Sequence, residues 1–264
     1  MKTAGKTYQS TFELNKTEWT GMAVILLLTF LLFSEGLTNE ILIGWDDGVY
    51  FEDPYVQDFS AGSFAQFFRS YYLGMYQPLG VATLSLNFAV HGMDSFGYHL
   101  INLILHLINT FLVFILIRKM RPEGYLALFA AMLFAIHPMH VESVSWIATR
   151  SNSLYTVFFL LASIHYLNYL DRNKKLKYLV WSGLFFVLAL FSKSMAVSFP
   201  LLMLVFDFFK RRKIKRNVLI EKLPFFILSF IFGVVAVDAA SSFGHIESLA
   251  DDYNLIHRIF LVSY

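Results

Sequence analysis

Apolar runs close to or beyond the length that crosses a lipid bilayer recur from residue 19 to residue 240, and no other property limits the possible folds so tightly. A span takes about 20 apolar residues in helical form, because backbone polar groups find no water in hydrocarbon and must bond within their own segment. Candidate spans fall at 19–37, 96–117, 124–141, 151–170, 178–192, 194–206 and 223–240. Charged residues are 15% of the chain against 57% hydrophobic, too few to coat a water-soluble domain. The expected fold class is an all-α membrane protein, a seven-span helical bundle. The first run ends in SEGLTNE, a poor site for leader cleavage, so it is read as a retained span. The chain has no cysteine, which excludes disulfides, thiolate nucleophiles and Cys-based zinc sites.

The stretch 178–206 is interrupted only by Lys193. Read as two short spans with Lys193 at the tip, it brings all the basic loops to one side. The N-terminal tail and the loops 118–123, 171–177 and 207–222 then hold 17 of the 21 Lys and Arg. Most of the acids fall opposite, so the positive-inside rule predicts a cytoplasmic N-terminus. KRRKIKR at 210–216 is a topology signal beside anionic lipid, and no nucleic-acid reader accompanies it. The large loop 38–95 faces outward. Within it Phe64, Phe67, Phe68, Tyr71, Tyr72 and Met75 recur at helical spacing after Ser63, predicting an amphipathic helix at the membrane interface, or one packed on the bundle. LIHRIFLVSY, 255–264, reads as the start of a further span, so the chain is expected to be a piece of a longer protein. The whole, 1–264, is expected to form a single membrane module.

Five groups of residues are candidates for chemistry. Asp46 and Asp47 are adjacent acids in an aromatic setting just after the first span; coupled carboxylates there suit proton acceptance from a hydroxyl, and a solvated acidic loop is the plainer alternative. His137, His140 and Glu142 lie in a short outward loop. They could hold a divalent metal, but the spacing is not a helical metal motif and Pro138 interrupts it; polar substrate binding is the expected role, and no metal or other cofactor is expected. His99, Asn102, His106 and Asn109 share one face of the span 96–117, pointing into the bundle as interhelical glue, with His99 close enough to the outer end to meet a substrate. Arg69, Arg150 and Lys193 are scarce outward cations, suited to a lipid phosphate or to salt bridges with Glu142 or an Asp. The basic run 210–216 completes the set as a signal without chemistry.

Four ordered stretches carry a family resemblance: WDDGVYFEDPYV, YQPLGVATLSLNFAVHGMDSFGYHLINLILH, FAIHPMHVESVSWIATRSNSLYTVFFLL and LFSKSMAVSFPLLMLVFDFF. From about residue 40 onward the chain resembles the membrane half of the TMTC-like proteins, the transmembrane and tetratricopeptide-repeat-containing proteins. These are similar to the GT-C glycosyltransferases, which include the protein O-mannosyltransferases and the lipid-A aminoarabinose transferases. The resemblance implies a GT-C-like bundle and a polyprenyl-phosphate sugar donor. It puts Asp46 at the catalytic acid, with Asp47 beside it and Glu142 as a second acid. It also implies Arg150 and Lys193 as cations for the donor phosphate, with Arg69 a further outward cation. Three departures stand out. Gln77 occupies a place often held by Arg or His, Arg150-Ser151-Asn152 stands where Arg-Lys-Asp is common, and the tetratricopeptide repeats are absent from these residues.

The expected activity is transfer of a mannose-type hexose to a protein or other hydroxyl acceptor on the non-cytosolic face, with inversion. The expected partners are membrane lipids, the lipid-linked donor and the acceptor. The expected location is a bacterial inner membrane, or the endoplasmic reticulum for a eukaryotic source. A flippase or transporter of lipid-linked sugars, or a membrane-anchored interaction scaffold, are the alternatives. Transport folds show repeated halves with polar groups at mid-membrane, a pattern missing here.

Overall fold

In the computed structural model, the structure describes residues 14–172, 174–213 and 215–244. No strand occurs among them. The expected span start at 255–264 lies outside the described residues.

Helix α1 (Lys16–Phe33) begins at Asn15, whose side chain accepts the Glu18 N–H while the Glu18 carboxylate accepts the Asn15 N–H. That reciprocal cap holds two N–H groups that the first turn would otherwise leave unpaired. A 3-10 turn, Ser34–Thr38, follows. The outward loop then forms three short helices, α2 (Asp46–Phe51), α3 (Pro54–Gln57) and α4 (Ala61–Phe67), and one longer helix, α5 (Pro78–His91). The bundle continues with α6 (Ser95–Met120), α7 (Gly124–Ile136), α8 (Val141–Ser145), α9 (Arg150–Asp171), α10 (Leu176–Ser192), α11 (Phe199–Phe209) and α12 (Arg216–Ser242).

Among the described residues, four helical segments are long and apolar enough to cross a membrane: Lys16–Thr38, Ser95–Met120, Ile147–Asp171 and Arg216–Ser242. A fifth candidate is α7 followed by Pro138–Ser145, bent by 53°. The bend sits at Pro138, where a helical N–H is missing. The remaining expected spans are shorter apolar helices, Leu176–Ser192 and Ser194–Phe209.

The outward loop departs from expectation. The predicted helix through Phe64–Met75 stops at Phe67, and Ser60, not Ser63, caps it by accepting the Ser63 N–H. The chain then reverses: Leu73 and Gly74 take positive φ, at 53° and 69°, and Tyr72 and Met75 exchange two backbone hydrogen bonds. Of the residues counted as one helix face, only Phe64 and Phe67 lie in α4; Phe68, Tyr71 and Tyr72 lie between its end and this turn, and Met75 beyond it. A helix that was not anticipated, α5, fills the rest of the loop. Pro78 at its first position and Gly92 just past its end, at φ 55°, are ordinary start and stop signals.

Tyr50, Phe51, Val56, Phe67, Tyr72, Val81, Leu84, Tyr98 and Ile147 form a buried cluster, so the loop packs as a layer on α5 and α6. Gly80 permits this, because a Cβ there would overlap the Ser151 side chain of α9. A second core joins Tyr166, Phe186, Phe199, Met203 and Phe225 across α9 to α12. A third places Ala127, Ala131 and Ala135 of α7 against α1 and α6, the close small-residue approach that packs helices where no hydrophobic drive separates protein from lipid.

Ion pairs sort the helix ends. Glu18 meets Arg118 at 2.5 Å and Asp171 meets Lys210 at 2.8 Å, so the start of α1 and the ends of α6, α9 and α11 share one end of the bundle. At the other end the Tyr71 hydroxyl donates to Asp238 at 2.7 Å and Phe68 packs edge-on to Phe191.

Candidate functional site

Asp46 and Asp47 open α2. The turn directs Asp47 inward, leaving it 1% exposed. Its Oδ2 accepts the Leu42 N–H at 3.0 Å and its Oδ1 the Ala148 N–H at 2.8 Å. Burial pushes its carboxyl above the usual value of 3.8, against the lowering effect of those two N–H groups. Asp47 thus staples the first outward loop to the segment that starts α9. Asp46 is half-buried, and its carboxylate has no hydrogen bond or ion pair among the described residues. Of the pair, Asp46 is the acid open to a ligand.

His99 is buried, with the Asn39 backbone and the Asp47 carboxylate as polar neighbours, and neither ring nitrogen has an aligned hydrogen bond. Arg150 is 0% exposed. Its Nε donates to Asn102 Oδ1 at 2.8 Å, and its two terminal nitrogens donate to the Thr83 and Tyr98 carbonyls at 3.2 and 3.0 Å. The guanidinium also lies 5.5 Å from the Tyr98 ring centre. It is consumed in joining α5, α6 and α9. Nearby, Gln77 Nε2 donates to the Tyr50 hydroxyl at 2.5 Å.

A cavity of about 290 Å³ lies between α6, α7, α8 and α9, with Lys193 and Met195 at its rim. Its polar wall includes His106, Asn109, His140, Ser143, Asn152 and Thr156. Lys193 Nζ donates to Asn152 Oδ1, and among the described residues no acid stands within ion-pair distance of it. Burial holds its ammonium below the usual 10.5, while the exposed Glu142 works the other way from farther off. His140 packs on Phe134 and faces His106 at 5.4 Å.

The sequence-predicted residues therefore separate. Lys193 and His140 share the cavity, with Glu142 beside it electrostatically. Asp47 reaches the segment before α9 through the Ala148 N–H and neighbours His99, Asp46 is next to it in the chain, and Arg150 opens α9 two residues before the cavity residue Asn152; none of the four lines the cavity. His137 is exposed and its Nδ1 accepts the Met139 N–H, capping a 3-10 turn. Arg69 is exposed at the loop surface. No group of three or more His, Asp or Glu among the described residues is arranged to hold a metal ion. The cavity's Asn109 and Asn152 were not among the substrate candidates; the signal available was the amide repeat on α6 and the neutral side chain at 152.

Sequence reasoning also missed an ionic cluster at the basic end. Lys222 and Asp207, both fully buried, meet at 2.5 Å, an ion pair by proximity without hydrogen-bond alignment. Arg212 joins Asp207 at 3.3 Å and Glu221 at 2.8 Å, and the hydroxyls of Tyr166 and Tyr169 donate to Asp207 and Glu221. Arg212 belongs to KRRKIKR, so that run is in part a bundle residue and not only a signal to lipid.

The fold and site define a class: an all-helical, multi-pass membrane protein with a polar cavity between its helices and a half-buried acid in its outward loop. Residues 77–237 match the family model of dolichyl-phosphate-mannose-protein mannosyltransferases, and the chain belongs to that family as a TMTC-like membrane module. It is 35% identical over 129 residues, 49% of its length, to protein O-mannosyl-transferase Tmtc1 of Drosophila melanogaster, and 31% identical over 177 residues, 62% of its length, to protein O-mannosyl-transferase tmtc2 of Xenopus laevis. It is 38% identical over 99 residues, 37% of its length, to human protein O-mannosyl-transferase TMTC1. The matches cover 15%, 21% and 11% of those proteins, so the chain corresponds to about a fifth of them or less. No solved structure matches the chain.

Proposed function

We propose that this module transfers a mannose-type hexose from a polyprenyl-phosphate carrier to a hydroxyl of a protein or other acceptor, on the non-cytosolic face and with inversion. The observation that carries the reading is Lys193: a cation lining a polar cavity, held by a neutral amide and, among the described residues, paired with no acid. A half-buried ammonium beside apolar helices gains from a counter-ion, and a phosphate entering from the membrane supplies one. Relatives named as protein O-mannosyl-transferases support the class of reaction.

In this reading Asp46 accepts the proton of the attacking hydroxyl, and the sugar's anomeric carbon changes partner in one displacement. Lys193 stabilises charge on the departing phosphate, a donor fixed in place before charge develops. Glu142 keeps Lys193 protonated. Asp47 and Arg150 position these groups, and His99 and His140 border the substrate. The reading includes seven crossings over the whole span 1–264, with an inward N-terminus. Supporting it, α10 has 17 residues, about 26 Å at 1.5 Å per residue, and it runs from the basic end to Lys193.

The test is transfer from a short-chain polyprenyl-phosphate mannose by the full chain in nanodiscs. Asp46→Asn is expected to abolish transfer, and Lys193→Gln to weaken donor binding, with both variants folded. Wild-type transfer by Asp46→Asn refutes the mechanism.

A further inference from the structure

An open groove of about 750 Å³ runs along α12, lined by Phe226, Phe230, Gly233 and Asp238 of that helix and by Val197 and Leu201 from the segment that enters and begins α11. Its walls are almost wholly apolar. Gly233 leaves its middle open, since a Cβ there would meet nothing of the fold within 4 Å. The helix is one of the candidate membrane spans, so this face meets lipid.

Asp238 is the charged residue among those that line the groove, and it is exposed. The Tyr71 hydroxyl of the outward loop donates to its Oδ2 at 2.7 Å. Among the described residues no cation stands within ion-pair distance of it. A neutral hydroxyl leaves the negative charge uncompensated, and an acid on the lipid-facing side of a span calls for a partner.

Position and charge together select that partner. Asp238 stands four residues before the end of α12 at Ser242, on the side of the outward loop, at headgroup level. From Phe226 to Asp238 the helix advances about 18 Å at 1.5 Å per residue, against roughly 15 Å of hydrocarbon in one leaflet. The groove therefore has the reach of a single acyl chain with a carboxylate at its head. That carboxylate repels an anionic head, including the phosphate of a polyprenyl carrier, and attracts an ammonium.

We infer that this groove holds a membrane lipid with an ammonium headgroup of the phosphatidylethanolamine kind, its acyl chain along 226–238 and its ammonium on the Asp238 carboxylate. The site is independent of the donor reading, and Lys193 does not line it. A second copy of the chain, or the chain's own following segment, would fill the groove without regard to headgroup charge.

The experiment uses the absence of cysteine. Phe230→Cys, at a lining residue 74% exposed, carries one fluorophore at the groove of the full chain in detergent micelles. Its quenching is titrated with phosphatidylethanolamine and phosphatidylglycerol bearing the same brominated acyl chains. The local probe reads the groove and not anionic lipid gathered at the basic end. The labelled protein is expected to bind the ethanolamine lipid about fivefold more tightly than the glycerol lipid, the scale of one ion pair at an exposed site. Asp238→Asn in this background keeps an oxygen for the Tyr71 hydroxyl, loses the charge, and is expected to bind both lipids equally. Gly233→Leu fills the groove without meeting the fold and is expected to weaken both about tenfold, the burial of roughly two methylenes. Preference retained by Asp238→Asn, or binding unchanged by Gly233→Leu, overturns the site. Equal binding of the two lipids when Asp238 is present assigns the groove to bulk acyl chains, and no quenching by either assigns it to protein; each result also overturns the site.

Discussion

Two neighbouring carboxylates acquire opposite surroundings because the first turn of α2 lays Asp47 on two backbone N–H groups and leaves Asp46 half-open. Asp47→Asn keeps one acceptor oxygen and loses the other, stranding one buried N–H at a cost of about 1–3 kcal/mol; a lower unfolding temperature in detergent is the readout. That cost depends on pH in a defined direction. The folded Asp47 holds its proton above 3.8, so the folded state binds more protons than the unfolded one between 3.8 and the raised value, and wild-type stability falls as pH rises through that window. The gap between wild type and Asp47→Asn is therefore expected to shrink as pH rises from 3.8 through the raised value. Lys193 has the opposite sense. Its ammonium titrates below 10.5 and Glu142 resists that shift. Binding of a lipid phosphate is expected to weaken as pH rises through the lowered value, and Glu142→Gln should move that limb to lower pH, measured as phosphate affinity against pH.

Among the elements, α5 was hidden in a loop for a physical reason. Its 14 residues are too few to span a bilayer, so a search for spanning length passes over it, although Pro78 and Gly92 mark both ends. The mistaken helix through Phe64–Met75 has the converse cause. Aromatic spacing is periodic through Tyr71–Tyr72, but Gly74 offers a positive-φ turn that reverses the chain. Periodicity was the wrong guide where turn chemistry decided. The contact of α5 with α9 makes a prediction. Gly80→Val overpacks against Ser151 and should cost about 1–3 kcal/mol. Ser151→Gly should recover part of that loss, and a double-mutant cycle on unfolding temperature reads the coupling.

At the scale of the molecule, charge is sorted into two ends. At the basic end Asp207→Asn leaves buried Lys222 with Glu221 alone, at 3.1 Å, as counter-charge, and should destabilise by up to about 3–5 kcal/mol, while Asp207→Leu combined with Lys222→Met should regain most of it; thermal unfolding in detergent compares the two. The absence of cysteine makes sidedness directly measurable. Cysteines introduced at Trp45, 72% exposed, and at Lys213 are expected to react with an impermeant reagent from opposite faces, Trp45→Cys from the non-cytosolic one. Labelling of both from the same face would overturn the proposed orientation.

Length and composition were enough to establish a helical membrane protein, the separation of basic from acidic segments and the tip position of Lys193, because bilayer thickness and backbone desolvation act on any chain regardless of its partners. Which acid is open, which cation is free and where the amides point were settled only by packing. Arg150 and Lys193 look alike as isolated outward cations, yet three acceptors from α5 and α6 converge on Arg150 while a single amide meets Lys193. Those acceptors come from residues about 50 to 70 positions distant in the chain, and the availability of a charge depends on which groups the fold brings within hydrogen-bond reach.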